Sequence, residues 1–219
     1  MRRKLISLTM VGLFVLTIAM PAPAPASEAA LDRWDFDVFL NDKKVGKHSY
    51  EITRSGDTEQ VRSVADFEYR ILFIPAYRYE HSNSEQWSND CLLGFEAKTN
   101  ANGKYTQVSG RQDGDYFTVQ GSDRSNEQLP ECIMSFAYWN PDFLDQSRLL
   151  NPQTGEYVDV TVERLPEEML EVRGQPVAAA RFRVTAYGVD LMLWYSSDNR
   201  WLALESIAKG GHVIRYELS

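Results

Sequence analysis

Period two dominates this chain. Trp34, Phe36, Val38 and Leu40 alternate with Asp35, Asp37 and Phe39. After a turn at Asn41-Asp42-Lys43-Lys44, the run Val45–Thr53 returns with Tyr50 and Ile52 on one face. Ser55-Gly56-Asp57 turns the chain again into Val61, Ser63, Ala65, Phe67, Tyr69 and Ile71, a long alternating stretch. Tyr77, Tyr79, His81 and Trp87 continue the pattern beyond Pro75. Successive side chains of a strand point to opposite faces, so this spacing specifies strands with one buried face rather than helices. Asn102-Gly103 and Asp113-Gly114 are two-residue hairpin signals, because both positions tolerate φ > 0. Later strands are expected at Tyr157–Glu163, Ala178–Ala186, Leu191–Tyr195, Leu202–Ile207 and Val213–Leu218, with turns at Arg173-Gly174, Gly188, Asp198-Asn199 and Gly210-Gly211. Ser122–Gln128 is the most loop-like internal stretch.

The period breaks once. Asn140 suits an N-cap, Pro141 the first helical position, and Asp142 the positive end of the helix dipole. A short helix is expected from there, ending before Asn151-Pro152, with Phe143, Leu144 and Leu149 towards the sheet. The expected fold is mainly β: a single antiparallel barrel or strongly curved open sheet of about ten strands with one short inserted helix. No Pro/Ser/Gly-rich linker divides it, so residues 27–219 read as one domain.

Residues 1–26 read as a signal peptide. Arg2, Arg3 and Lys4 precede an apolar run from Leu5 to Met20, and Ala24-Pro25-Ala26 offers a small-residue cleavage site. Cutting after Ala26 avoids a proline at the first mature position. The expected location is therefore periplasmic or secreted. No later stretch is apolar enough to span a membrane as a helix. Three of the 23 basic residues and none of the 31 acids precede the cut, which leaves 20 against 31 and a formal charge of −11. That balance argues against nucleic acid as a partner, because phosphate binding needs excess Lys and Arg. In an exported chain the two cysteines, Cys91 and Cys132, are expected to form a disulfide.

Several phrases resemble a known family. They are the Trp34–Asn41 run leading to Gly46-Lys47-His48, Tyr77–His81 with Glu85 and Trp87, and Ser135-Phe136-Ala137-Tyr138-Trp139-Asn140-Pro141. Leu149-Leu150-Asn151-Pro152-Gln153-Thr154-Gly155, Leu193-Trp194-Tyr195 and Trp201–Ser206 complete the set. Together they resemble an uncharacterised family of exported bacterial proteins, domain-of-unknown-function family 6134. The resemblance implies export and a single domain, and it transfers no catalytic residue. Gly210-Gly211-His212 stands where the family pattern suggests Gly-Gly-Arg.

His81 and Glu85 are the acid/base candidates, since positions four apart on a strand share a face. A structural hydrogen-bond network is the competing explanation. His48, His81 and His212 lack tight ligand spacing, so no metal is expected, nor any cofactor. No GxSxG, HExxH, P-loop or GxGxxG pattern occurs. Aromatics make up 12% of the chain. Phe136, Tyr138, Trp139, Trp194 and Trp201 are expected to gather where the helix meets the sheet, with His81 at the polar edge. A curled sheet of this size either fills its interior with side chains or holds one small ligand. The expectation is a domain that binds a small apolar or amphipathic ligand. A hydrolase using His81 and Glu85, and an envelope scaffold that binds another protein, remain open as alternatives.

Overall fold

The computed structural model describes residues 30–71, 74–122, 124–207 and 211–219. The expected signal peptide and its cleavage point lie outside the described residues. Eight strands come first: β1 (Ala30–Leu40), β2 (Lys43–Ser55), β3 (Thr58–Ile71), β4 (Ile74–Ser88), β5 (Cys91–Ala101), β6 (Lys104–Asp113), β7 (Tyr116–Gly121) and β8 (Arg124–Leu129). Six follow after a 3-10 turn: β9 (Arg148–Leu150), β10 (Tyr157–Val172), β11 (Gln175–Ala186), β12 (Val189–Tyr195), β13 (Trp201–Ile207) and β14 (Val213–Leu218). All fourteen join one sheet in the order 8-7-6-5-4-3-2-1-14-13-12-11-10-9, and every ladder is antiparallel. The first eight strands meander outward from β1. The last six meander inward from the far edge until β14 pairs with β1, Phe36 opposite Leu218. Edges β8 and β9 are not paired to one another, so the sheet is open rather than a closed barrel.

The turns follow the expected chemistry. Asn41, Asn102, Arg173 and Asn199 hold positive φ, as do Gly56, Gly103, Gly114, Gly174 and Gly188. These positions fix the registers, and the registers decide which alternating face is buried. Trp34, Phe36 and Val38 on β1, Tyr50 and Ile52 on β2, and Phe95 and Ala97 on β5 all turn inward and are buried. One core cluster unites residues of β1–β8 with residues of β9 and β11–β14. The sheet therefore curls around a shared interior.

Residues 130–147 cross that interior as a strap between the two edges. Ile133, Met134, Ser135, Ala137, Trp139 and Phe143 are buried in it. The Cys91–Cys132 disulfide, with Cα atoms 5.0 Å apart, ties its start to β5. Leu92 N–H donates to Ile133 O at 3.0 Å, and Leu150 N–H to Met134 O at 2.9 Å. The Tyr195 hydroxyl donates to Tyr138 O at 2.7 Å from the opposite wall.

Three expectations need correction. The strands number fourteen, not about ten. Of the expected loop Ser122–Gln128, residues 124–128 belong to β8, whose Leu129 pairs with Phe117 and is buried, and Asp123 lies outside the described residues. The inserted helix is one 3-10 turn, Pro141–Asp145. Its start is as expected: Asn140 Oδ1 accepts from Asp142 N–H, and Phe143 is fully buried. It stops because Leu149 and Leu150 are claimed by β10 as β9, Leu150 facing Tyr157. β10 also runs beyond Glu163 to Val172; Pro166 falls where the register shifts between Leu165 and Glu168, a place that needs no N–H donor.

Candidate functional site

A cavity of about 200 Å³ lies inside the curl. Cross-strand register explains it. His48 on β2, Ala65 on β3, His81 on β4 and Thr99 on β5 form one inward row. Tyr50, Ser63, Asn83 and Ala97 form the next. In both rows β3 contributes a small side chain between larger ones from β2 and β4, which leaves a hollow over β3. With strands about 4.8 Å apart, the His48 and His81 backbones stand about 10 Å from each other. Val61 and Glu85 lie one row deeper. Phe136–Trp139 of the strap, the 151–153 loop, Val189 and Tyr216 complete the enclosure. At the exposed side, the Tyr79 hydroxyl donates to Gln153 Oε1 at 2.8 Å.

The lining is aromatic and polar together. Glu85, 5% exposed, accepts from Asn83 Nδ2 and Trp87 Nε1 at 2.9 Å and from Ser135 Oγ at 3.0 Å. Burial pushes its carboxyl above the usual range, while the three donors pull it back. Burial also holds both imidazoles neutral, His48 down to about 3 and His81 down to about 4. His48 Nδ1 lies 3.3 Å from the Tyr216 hydroxyl, and His81 Nδ1 lies 2.9 Å from Thr99 Oγ1. The Tyr50, Tyr138 and Tyr216 phenols are raised by burial.

Three polar atoms of this lining are buried and have no protein partner: His48 Nε2, Asn83 Oδ1 and Trp139 Nε1. Two broader hollows of about 580 Å³ each are lined mainly by other residues of β3–β7 and share one residue apiece with this cavity, Glu85 and His81. Neither is lined by any of these three atoms' residues, so the internal cavity is the chemically marked one.

The structure brings Phe136, Tyr138, Trp139, His81 and Glu85 to one cavity. Trp201 is displaced from it. It is fully buried behind Tyr138, ring centroids 5.4 Å apart, and its N–H donates to Ala203 O. Trp194 faces the other side of the sheet with Ala179 and Leu202, and its N–H donates to Glu168. Consecutive alternation accounts for this, since Leu193 and Tyr195 take the inward positions. His81 and Glu85 share a face, yet their hydrogen bonds go to Thr99 on one side and to Asn83, Trp87 and Ser135 on the other. Ser135 donates to Glu85 rather than to a histidine, and the side-chain hydrogen bonds of His48, His81 and His212 go to Tyr216, Thr99 and Asn41. The described residues include no group of three His, Cys, Asp or Glu placed to hold a metal. His48, Asn83, Tyr50 and Tyr216 join the site without having been expected there.

The family model DUF6134, a domain of unknown function, matches residues 36–219. The chain belongs to the DUF6134 family. Membership names a family without a described activity, and no curated protein matches the chain. Among solved structures, the chain is similar to a β-barrel-like protein of the domain-of-unknown-function family DUF1849 from Brucella abortus. The likeness has a TM-score of 0.62 at 9% identity and covers 85% of this chain and 94% of that one. At that identity the similarity concerns the fold alone. It places this DUF6134 chain among β-barrel-like domains. Among the described residues no helix is long and apolar enough to cross a membrane.

Proposed function

We propose that the domain is an exported binding protein that encloses one small amphipathic ligand between β2–β4 and the strap. One observation carries the reading: His48 Nε2, Asn83 Oδ1 and Trp139 Nε1 are buried without protein partners around a single cavity. A buried polar group left unpaired costs about 1–3 kcal/mol. Three such groups at one place cost several times that unless the occupant pairs them. A volume of about 200 Å³ suits a compact metabolite rather than a lipid chain, since a water takes about 30 Å³ and usual ligand pockets begin near about 300 Å³. The rings provide the apolar half of the recognition and the orphaned atoms the polar half. Export is supported by the basic start, the apolar run and Ala24-Pro25-Ala26, and by a disulfide suited to an oxidising compartment.

Native mass spectrometry of the gently extracted full chain tests the reading. A noncovalent small-molecule adduct should accompany the wild type. It should be depleted in Trp139→Phe, which removes the N–H and keeps a ring. A bare wild-type mass, with no thermal stabilisation by any member of a metabolite panel, overturns it.

A further inference from the structure

Glu85 is the carboxylate of this cavity, and no lysine or arginine is among the described residues that line it. No described salt bridge includes Glu85. Its neighbours are neutral donors: an amide, an indole and a hydroxyl. Around the same space stand the rings of Tyr50, Tyr138, Tyr216, Phe136 and Trp139. A buried carboxylate without a countercharge, its ionised form disfavoured by burial and supported by three donors, gains from a cation beside it, which rings with electron-rich faces also favour.

We infer that the ligand of this cavity is a small organic cation of the methylated-ammonium type with a short polar tail, an inference that rests on the binding reading above. Methylation follows from the hydrogen-bond count at Glu85. Glu85 Oε1 already accepts from Asn83 and Ser135, and Oε2 from Trp87. Little acceptor capacity is left on Glu85 itself for the three N–H donors of a primary ammonium, and the unpaired Asn83 Oδ1 is left to the tail. A quaternary head asks for no hydrogen bonds and gains from charge and ring faces alone. The tail then meets the orphaned atoms with an acceptor for Trp139 Nε1–H and a donor for Asn83 Oδ1. The chain's net charge of −8 draws cations to its surface before entry.

Calorimetric titration of the full exported protein with choline, ethanolamine and the uncharged tert-butyl isostere of choline separates the terms. Choline should bind at least about tenfold more tightly than the isostere, about 1.4 kcal/mol, and more tightly than ethanolamine. Glu85→Gln, checked for native circular dichroism, should reduce the choline preference below about threefold. If that variant does not fold, the wild-type comparison decides by itself. An isostere that binds as well as choline overturns the cation inference and leaves the binding reading standing. Ethanolamine binding tighter than choline overturns the methylation step. No binding of any of the three, with a small-molecule adduct still present in the native mass, also overturns the inference while leaving the cavity a binding site. No binding and no adduct overturns both.

Discussion

His48 gives the fold a built-in sensitivity to acid. The imidazole is buried on β2, and its neighbours are Tyr50 at 4.4 Å, Tyr216 at 5.6 Å and Phe67 at 6.3 Å between ring centroids. Burial, with a small contribution from the facing His81, lowers it from 6.5 to about 3. The unfolded chain takes up this proton below about 6.5, and the native chain does not until far lower. The stability linked to His48 is therefore complete above its unfolded value and is lost as pH falls towards its folded one. Each pH unit inside that window costs about 1.4 kcal/mol, so moving from neutral pH to about pH 5 removes about 2 kcal/mol. The result at that pH depends little on how low the folded value lies. His81, lowered to about 4, acts in the same direction and by a similar amount at about pH 5, since both folded values lie below that pH. Glu85 acts in the opposite direction: its folded value is raised, so the native state gains a proton first as pH falls. The ion-paired carboxylates Asp35 and Asp190 are lowered and lose their contribution only in stronger acid. Urea unfolding of the oxidised protein at neutral pH and at about pH 5 measures the drop, and His48→Gln should remove about 2 kcal/mol of it. A variant that keeps the whole drop, or a wild type equally stable at both pH values, refutes the reasoning.

Other consequences are directly testable. Replacing Cys91 and Cys132 with serine should cost about 2–5 kcal/mol in urea unfolding, because the strap loses its tie to β5; an unchanged midpoint contradicts this. Gly46→Ala should cost about 3 kcal/mol, since a Cβ there would stand 1.9 Å from the Asp66 carbonyl oxygen on the paired strand. Gly56→Ala, at φ +58 with open space around it, should cost only about 1 kcal/mol, and equal costs at the two glycines would contradict the packing argument. Exported protein should begin at Ser27 by N-terminal sequencing; a membrane-held chain that begins at Met1 would contradict processing.

Alternation and turn chemistry made most of the strands legible. Asn102-Gly103 and Arg173-Gly174 are tight turns with positive φ, as their residues suggest. The strap shows where pattern reading ends. Phe143, Leu144 and Leu149 fit a helical stripe, but Leu149 is held by β10, a long-range pairing that a local window does not contain. The site was half visible for a related reason. Phe136, Tyr138 and Trp139 stand together in sequence, whereas His48 and Asn83 reach the cavity only through register. The turn at Gly56 sets Ser55 opposite Thr58, and from there His48 falls opposite Ala65 and Tyr50 opposite Ser63. The phase of Val45–Thr53 puts His48 on the buried face of Tyr50 and Ile52, which is the face that meets the cavity. Trp194 and Trp201 share a residue type but lie on different strands, β12 and β13, and pack in different clusters.

A high-resolution crystal structure of protein purified from its exporting cell tests the central claim most directly. Electron density is expected for one compact organic molecule bounded by β2–β4 and the strap, its polar end within hydrogen-bond distance of Trp139 Nε1 and Asn83 Oδ1, and its head beside Glu85. Density for ordered waters alone that bridge His48 Nε2, Asn83 Oδ1 and Trp139 Nε1, or an indole swung inward to fill the space, would contradict it.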